Sequence, residues 1–367
     1  GSGLPASWGI HCDMMCLQTP QSVSPCAMDV GKLPPQLLQR LLQKARTEDS
    51  RVLLGPGIGE DAAVLEMEGD RVLVAKTDPI TFATDNIGWY SVHINANDIA
   101  ATGAVPRWYL ATLLVPEGTD AAAIAEIFDQ IIDACRSLDI SLVGGHTEIT
   151  YDLERPIVVG AMLGEANKGD ITATSDARPA DRIILTKGIA IEGTSVLARE
   201  SAELLESQGM AKDSIERARN YLYDPGISVV AEASKARSVA TVHCMHDPTE
   251  GGLITGLREI AAAAKVGVRL YRESIPVLPE CRDVCDRLGL DPLGLLASGA
   301  LLITIPASEA PGLLRALDME GIEAYDIGEV TEESGGLKMV TGEGEEEMPS
   351  FVRDELARFF SSSTPRH

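Results

Sequence analysis

The sequence predicts an α/β (α+β) fold in two lobes, and three observations carry that prediction. At 367 residues the chain is long enough for two ordinary domains with separate cores, since domains cluster near ~100–150 residues. Apolar and β-branched runs alternate with segments of helical period along most of its length. Between 167 and 182 this pattern gives way to "NKGDITATSDARPADR", a stretch of small polar residues that places a domain boundary there. No unit of ~20–50 residues recurs, which argues against a solenoid or propeller.

Residues 1–27 contain Cys12, Cys16 and Cys26 in a segment without helical or strand period, and they lack the basic start and long apolar middle of a secretory signal. A flexible tail is expected there, then a first domain over 28–168, a second over 169–345, and a C-terminal helix and tail over 346–367. "KLPPQLLQRLLQKA" opens the folded body as a short amphipathic helix behind a proline suited to a first turn. "GPGIGEDAAVLE" is a glycine-rich turn running into acids. "RVLVAKTDPI" (71–80) is a strand by its β-branched content and delivers Lys76, Thr77 and Asp78 at its C-terminal end.

"SVHINANDIAATGAVP" (91–106) reads as a helix with Val92, Ala96, Ile99 and Ala100 on its buried face, stopped by Gly103 and Pro106. "RWYLATLLVP" is a strand, and "DAAAIAEIFDQIIDACRSLD" is a helix with one stripe of Ile124, Ile127, Phe128, Ile131, Ile132 and Cys135. "ISLVGGHTEIT" reads as a strand ending in a glycine turn and a polar cluster, and "RPIVVGAMLGEA" as another strand. The second lobe is expected to begin with strand "RIILTK" and continue through a charge-rich helical segment over 195–222. Strand "VATVHCM" (239–245) then runs into the turn and helix of "HDPTEGGLITGLREIAAAAKVG". Cys281 and Cys285 share a face of the helix in "PECRDVCDRLG", as buried apolar residues would.

The 45% of hydrophobic residues include no run near the ~20 needed to span a bilayer. With 31 basic and 55 acidic residues the formal charge is −24, which repels nucleic-acid phosphates and anionic membranes. No nucleic acid or membrane partner is therefore expected. Seven cysteines are too sparse for a disulfide framework and leave an odd thiol, so a reducing, cytoplasmic setting is expected.

Several separated stretches place acids or hydroxyls where strands or helices end: Glu60 and Asp61, Thr77 and Asp78, Asn97 and Asp98, Asp247 and Thr249. Converging carboxylates repel unless cations share them, which points to a Mg²⁺ site completed by a bound polyphosphate. The phosphate also needs donors. "DPTEGGL" opens a helix whose first amides make an anion site, with Thr249, Gly251 and Gly252 in the turn. "GGHTEIT" can do the same with loop amides and the Thr147 hydroxyl, and Lys76 is a point charge for a phosphate. His146 stands as a general acid or base, a direct phosphate contact, or a hydrogen-bonding turn residue. No Walker or Rossmann pattern is present.

"GIGEDAAVL", "TDPI", "NANDIAATGAVP", "GGHTEIT" and "HDPTEGGL" occur in this order, and on them the chain resembles the aminoimidazole ribonucleotide (AIR) synthetase superfamily over roughly 28–345. The resemblance implies ATP with Mg²⁺, a homodimer whose N-terminal lobes build a shared β-barrel, and a C-terminal α/β lobe closing over the nucleotide. It implies that Asp61, Asp78, Asp98 and Asp247 hold Mg²⁺ and phosphates, that Asn97 supports the site, and that Gly144, Gly145 and Thr147 line it. "IPVLPECRDVCDRLGLDPLGLLASGALLITIP" looks most like the HypE family of hydrogenase maturation proteins.

The expected activity is HypE-like: γ-phosphate transfer to an oxygen of a small or carrier-bound substrate of amide or carboxyl type. Because Cys285 is the last cysteine, a C-terminal acceptor thiol is expected to be missing. The alternatives are a non-catalytic nucleotide-binding partner, a kinase or synthetase of the thiamine-phosphate kinase or selenophosphate synthetase type, and a metal carrier using His11, Cys12, Cys16 and Cys26.

Overall fold

The computed structural model describes residues 35–42, 44, 49–56, 62–81 and 85–363. The expected tail over 1–27 and the candidate ligand Asp61 lie outside the described residues.

The first lobe runs α1 (Pro35–Leu42), β1 (Val52–Leu54), β2 (Ala63–Glu66), β3 (Arg71–Ile80), α2 (Ile87–Ala101), β4 (Val105–Pro116), α3 (Ala121–Ser137), β5 (Ser141–Thr150) and β6 (Ile157–Asn167). Among the described residues its strands form one six-stranded sheet in the order β1-β2-β3-β6-β4-β5. Every neighbouring pair is antiparallel except the parallel β4–β5 pair at one edge. Alternate residues Val72 and Val74 of β3, Tyr109, Leu113 and Val115 of β4, and Val158 and Met162 of β6 are buried on the face that α2 covers, as the two-residue side-chain period of a strand requires.

Helix α2 is buried on nearly every side, because it lies against the sheet, α3 and α7 of the second lobe (Val230–Val239). Close approach to the sheet depends on Gly160, where an added Cβ would stand 2.3 Å from Asn95 Nδ2 and 2.7 Å from the Tyr109 hydroxyl. Helix α3 turns the expected apolar stripe inward through Ile127, Ile131 and Cys135, and Asp120 caps it by accepting from the Ala123 amide at 2.8 Å.

The second lobe runs β7 (Asp181–Thr186), α4 (Ile191–Glu200), α5 (Ala202–Ser207), α6 (Lys212–Asn220), α7, β8 (Cys244–His246), α8 (Gly252–Ala264), β9 (Val266–Tyr271), α9 (Pro279–Leu288), β10 (Leu302–Pro306), α10 (Ala310–Asp318), β11 (Ala324–Glu332), β12 (Leu337–Thr341), β13 (Gly344–Glu347) and α11 (Glu355–Ser363). Its seven-stranded sheet has the order β13-β12-β9-β11-β7-β10-β8, with only β12–β9 parallel. One face packs on α8 through Leu185, Leu253, Leu257 and Val268; the other packs on α7 and α10 through Ile184, Ala233, Ile303 and Leu313. A continuous apolar cluster crosses between the lobes from Ile87 and Tyr90 of α2 to Ile191 and Leu197 of α4.

The structure corrects the element reading in three places. "GGHTEIT" is no turn: β5 runs through both glycines to Thr150. The strand expected over 239–245 is the end of α7 followed by a short β8, and the helical segment 195–222 is divided among α4, α5 and α6. Strands β11 to β13 occupy sequence that lacks an apolar alternation. No helix among the described residues is long and apolar enough to cross a membrane.

Candidate functional site

Strand β3 and helix α2 bring three of the candidate residues together. On β3, Lys76 and Asp78 share the parity of the buried Val72 and Val74, so both point to the face covered by α2. There Lys76 Nζ lies 3.1 Å from Asp98 Oδ2, on a helix carboxylate that is 3% exposed, and 3.6 Å from Asp78 Oδ2, which is 40% exposed. A buried carboxylate is costly without a cation beside it, and Lys76 supplies that cation. Asp78, the more open of the two acids, faces the space where a ligand can reach it.

The glycine stretch stands at the sheet's edge. The registers align Asp78 with Gly160, Gly160 with Ala111, and Ala111 with Gly145. Gly145 is therefore in the same row as Asp78, three strand spacings or about 14 Å away. A register shift where Tyr109 pairs with Leu142 and Leu110 with Gly144 leaves Val143 as an extra residue. This bulge lets Leu142 and Gly145 pair with buried residues of β4 on the covered face, which also sets Thr147 opposite Leu113 on that face. His146 pairs with Thr112 and points to the opposite face, 67% exposed, with Nε2 3.4 Å from Glu148 Oε2. Within one chain His146 is thus not brought to the Lys76 cluster.

The second lobe contributes the turn between β8 and α8. Asp247 is buried at the end of β8. Thr249 O accepts from Gly252 and Ala297 amides at 3.1 and 3.2 Å, which folds the turn back on itself. Gly251 has φ +81° and caps α8. Its amide, expected to grip a phosphate, donates at 2.6 Å to Asp354 Oδ2, and Asp354 Oδ1 accepts from Leu356 at 2.7 Å. A carboxylate from the segment before α11 thus stands at the positive end of α8. Burial pushes the Asp354 carboxyl up to about 6, against the pull of the two amides.

Glu192, near the start of α4, is buried, and that burial pushes its carboxyl up to about 7. Ser298 pulls the value down, while the charges of Asp354, Glu250 and Asp78 raise it further. Glu192 thus lies within electrostatic reach of acids on β3, in the 247–252 turn and in the C-terminal segment.

Asn97 has a different task from lining that space. Its Nδ2 donates to Ile227 O at 2.7 Å and its Oδ1 accepts from Val229 N at 2.8 Å, clasping the 227–229 segment of the second lobe. Lys187 holds the same segment from below, donating to Gly226 O at 3.0 Å and Ser228 O at 2.5 Å while pairing with Glu232 at 2.8 Å. Sequence reasoning missed Lys187, Glu192 and Asp354. "RDEL" before an amphipathic run is a helix-start signal that pointed to Asp354; the other two carried none.

Asp78 and Asp98 offer hard oxygen donors of the kind Mg²⁺ takes. Among the described residues no group of three or more His, Cys, Asp or Glu side chains is arranged to hold a metal. The donor chemistry fits the ion, with Asp78, Asp98 and Asp247 as the described candidates.

The family "AIR synthase related protein" matches the chain twice, its N-terminal domain over residues 59–166 and its C-terminal domain over 178–339. Carbamoyl dehydratase HypE of Rhizobium leguminosarum bv. viciae is 30% identical over 326 residues, covering 86% of this chain and 88% of that protein. A crystal structure of hydrogenase maturation protein HypE in complex with ATP superposes with TM-score 0.67 at 25% identity, covering 83% of this chain and 92% of the other. Thiamine monophosphate kinase of Aquifex aeolicus shares the fold at TM-score 0.65 and 18% identity, over 87% of this chain and all of that one.

Proposed function

Since the chain belongs to the AIR synthase related protein family and is similar to its HypE members, we propose that it is an ATP-utilising enzyme. It passes the γ-phosphate of ATP to an oxygen of an amide- or carboxyl-type acceptor, small or carrier-bound. The observation that carries this reading is Lys76 set between Asp98 and the more open Asp78 on the inner face of the first lobe. Lys76 neutralises Asp98 and keeps a positive charge where phosphate oxygens arrive. Asp78, Asp98 and Asp247 would hold Mg²⁺, which screens the charge developing on the phosphates. Asn97 ties the first lobe to the 227–229 segment, which Lys187 braces within the second lobe, so the residues that position the reactants are fixed before they bind.

The Gly144 to Thr147 edge would receive the nucleotide from the covered side of the sheet. His146, on the far side, would act only if a second chain completed that region, and the expected homodimer supplies one. Cys135, Cys281 and Cys285 are free buried thiols, which suits a reducing cytosol. A second reading, nucleotide binding without turnover, draws on Asp354: this carboxylate already takes the Gly251 amide.

Phosphate release with Mg-ATP over a panel of carbamoyl, carboxyl, thiamine-phosphate and selenide acceptors tests the proposal. Turnover is expected with an amide or carboxyl acceptor, and Asp78→Asn should lower it about a hundredfold or more without unfolding the chain. ATP binding with no turnover on any acceptor would leave the non-catalytic reading in its place.

A further inference from the structure

A cavity of about 370 Å³ opens where the C-terminal end of α2, the first residues of β4, the end of β6 and α7 meet. Its size is within the range of small-ligand sites, roughly 300–1,000 Å³. In a chain of net charge −24 it is lined by Arg71, Arg107 and Arg237. Two of these are already held: Arg71 pairs with Glu165 at 2.9 Å and Arg237 with Asp170 at 2.9 Å. Arg237 can lie there because residue 103 is glycine, where an added Cβ would stand 2.1 Å from its Nη1.

Arg107 differs from both. Pro106 pairs with Gly164 and Trp108 with Leu163, so Arg107 is the extra residue of a β-bulge and breaks the sheet's alternation. A bulge of this kind re-aims a side chain. Among the described residues the Arg107 side chain makes no ion pair or hydrogen bond, and the residue is exposed. Arg71 starts five residues before Lys76 on the same strand, so the cavity is about 17 Å from the Lys76 cluster.

We propose that this cavity is a second binding site, for a small anion carrying phosphate or carboxylate groups, with Arg107 as its principal contact. Guanidinium forks match both groups with paired hydrogen bonds. Ala100, Ala104 and Ala233 make a floor of small side chains that leaves room for the body of such a molecule. Arg71 and Arg107 come from the first lobe while Arg237 and Ser234 come from α7, so a bound anion ties the two lobes together. The inference stands apart from the activity proposed above.

Calorimetric titration of the full chain with pyrophosphate, AMP and citrate tests it and separates phosphate from carboxylate chemistry. At least one probe should bind with one site per chain. Arg107→Glu should weaken it about tenfold or more, Arg107→Gln should weaken it less, and Asp78→Asn should leave it unchanged. Circular dichroism and the thermal midpoint of both Arg107 variants should match the parent, since the side chain supports no contact of the fold. The proposal is overturned if no probe binds at millimolar concentration, if Arg107→Glu binds as the parent does, or if Asp78→Asn removes the binding.

Discussion

At the scale of single residues, the space between the lobes is set by which carboxylates have a cation and which do not. Asp98 has Lys76 at 3.1 Å; Glu192 sits among like charges, and burial is the larger reason its proton is retained. The consequence for stability follows from linkage. The folded value of about 7 lies above the ordinary 4.5, so between those values the folded chain binds the proton that the unfolded chain has released. Protonated Glu192 therefore supports the fold at low pH, and that support is lost as pH rises through roughly 4.5 to 7, by about 3 kcal/mol at most. Urea unfolding of the parent and of Glu192→Gln at about pH 5 and about pH 8 measures it. The variant should lose less stability over that interval, and equal losses would show that the buried carboxyl is not the source.

At the scale of elements, two adjacent glycines of β5 are predicted to tolerate a side chain very differently. Gly145 has φ +149° and an added Cβ would stand 1.9 Å from Ala111 O, so Gly145→Ala must break the β4–β5 pairing. A cost of roughly 2 kcal/mol or more is expected, seen as a lower thermal midpoint. At Gly144 the nearest atom to an added Cβ is Leu110 Cδ2 at 3.9 Å. Gly144 shares the parity of His146, so its added methyl points away from the covered face, and Gly144→Ala should fold normally and bind ATP as the parent does. A loss of ATP affinity in Gly144→Ala would place the nucleotide on the His146 face instead.

This pair also shows what was legible in the sequence. β-Branched content bounded β3 over 71–80, and the stripe from Ile124 to Cys135 gave α3, because both bury one regular face. The β5 glycines read as a turn because an edge strand with an exposed run carries no alternation to oppose that signal. Helix α2 starts at Ile87, four residues before the reading, since Asn86 enters it with φ +57° and no side-chain cap. Val239 looked like strand, but its neighbours Ala233 and Ala236 bury α7 against the second sheet. At the site, the acids and Lys76 were legible as residue types. Their pairing was not, nor was the face of His146, since parity across β5 depends on the extra Val143.

At the scale of the whole molecule, the first sheet ends at β5 among the described residues. The parallel partner β4 covers one side of that strand, and among the described residues no strand pairs with the other side, beside Val143, Ile149 and Tyr151, which are 52%, 58% and 80% exposed. A long edge of this kind is a template for pairing with another strand, and a second copy of the same sheet is the expected occupant. Two chains that each carry −24 also repel, and salt within the physiological range screens charges farther apart than about 8–10 Å. The dimer should therefore tighten as salt is raised, as apolar edge contacts are retained while the repulsion falls. Ile149→Lys places a charge on an exposed position without touching the core. Sedimentation equilibrium at micromolar concentration should find the parent dimeric and this variant monomeric, with unchanged circular dichroism. A monomeric parent, or a variant that stays dimeric, would show that β5 is not the seam, and His146 would then have no second chain to complete its side of the sheet.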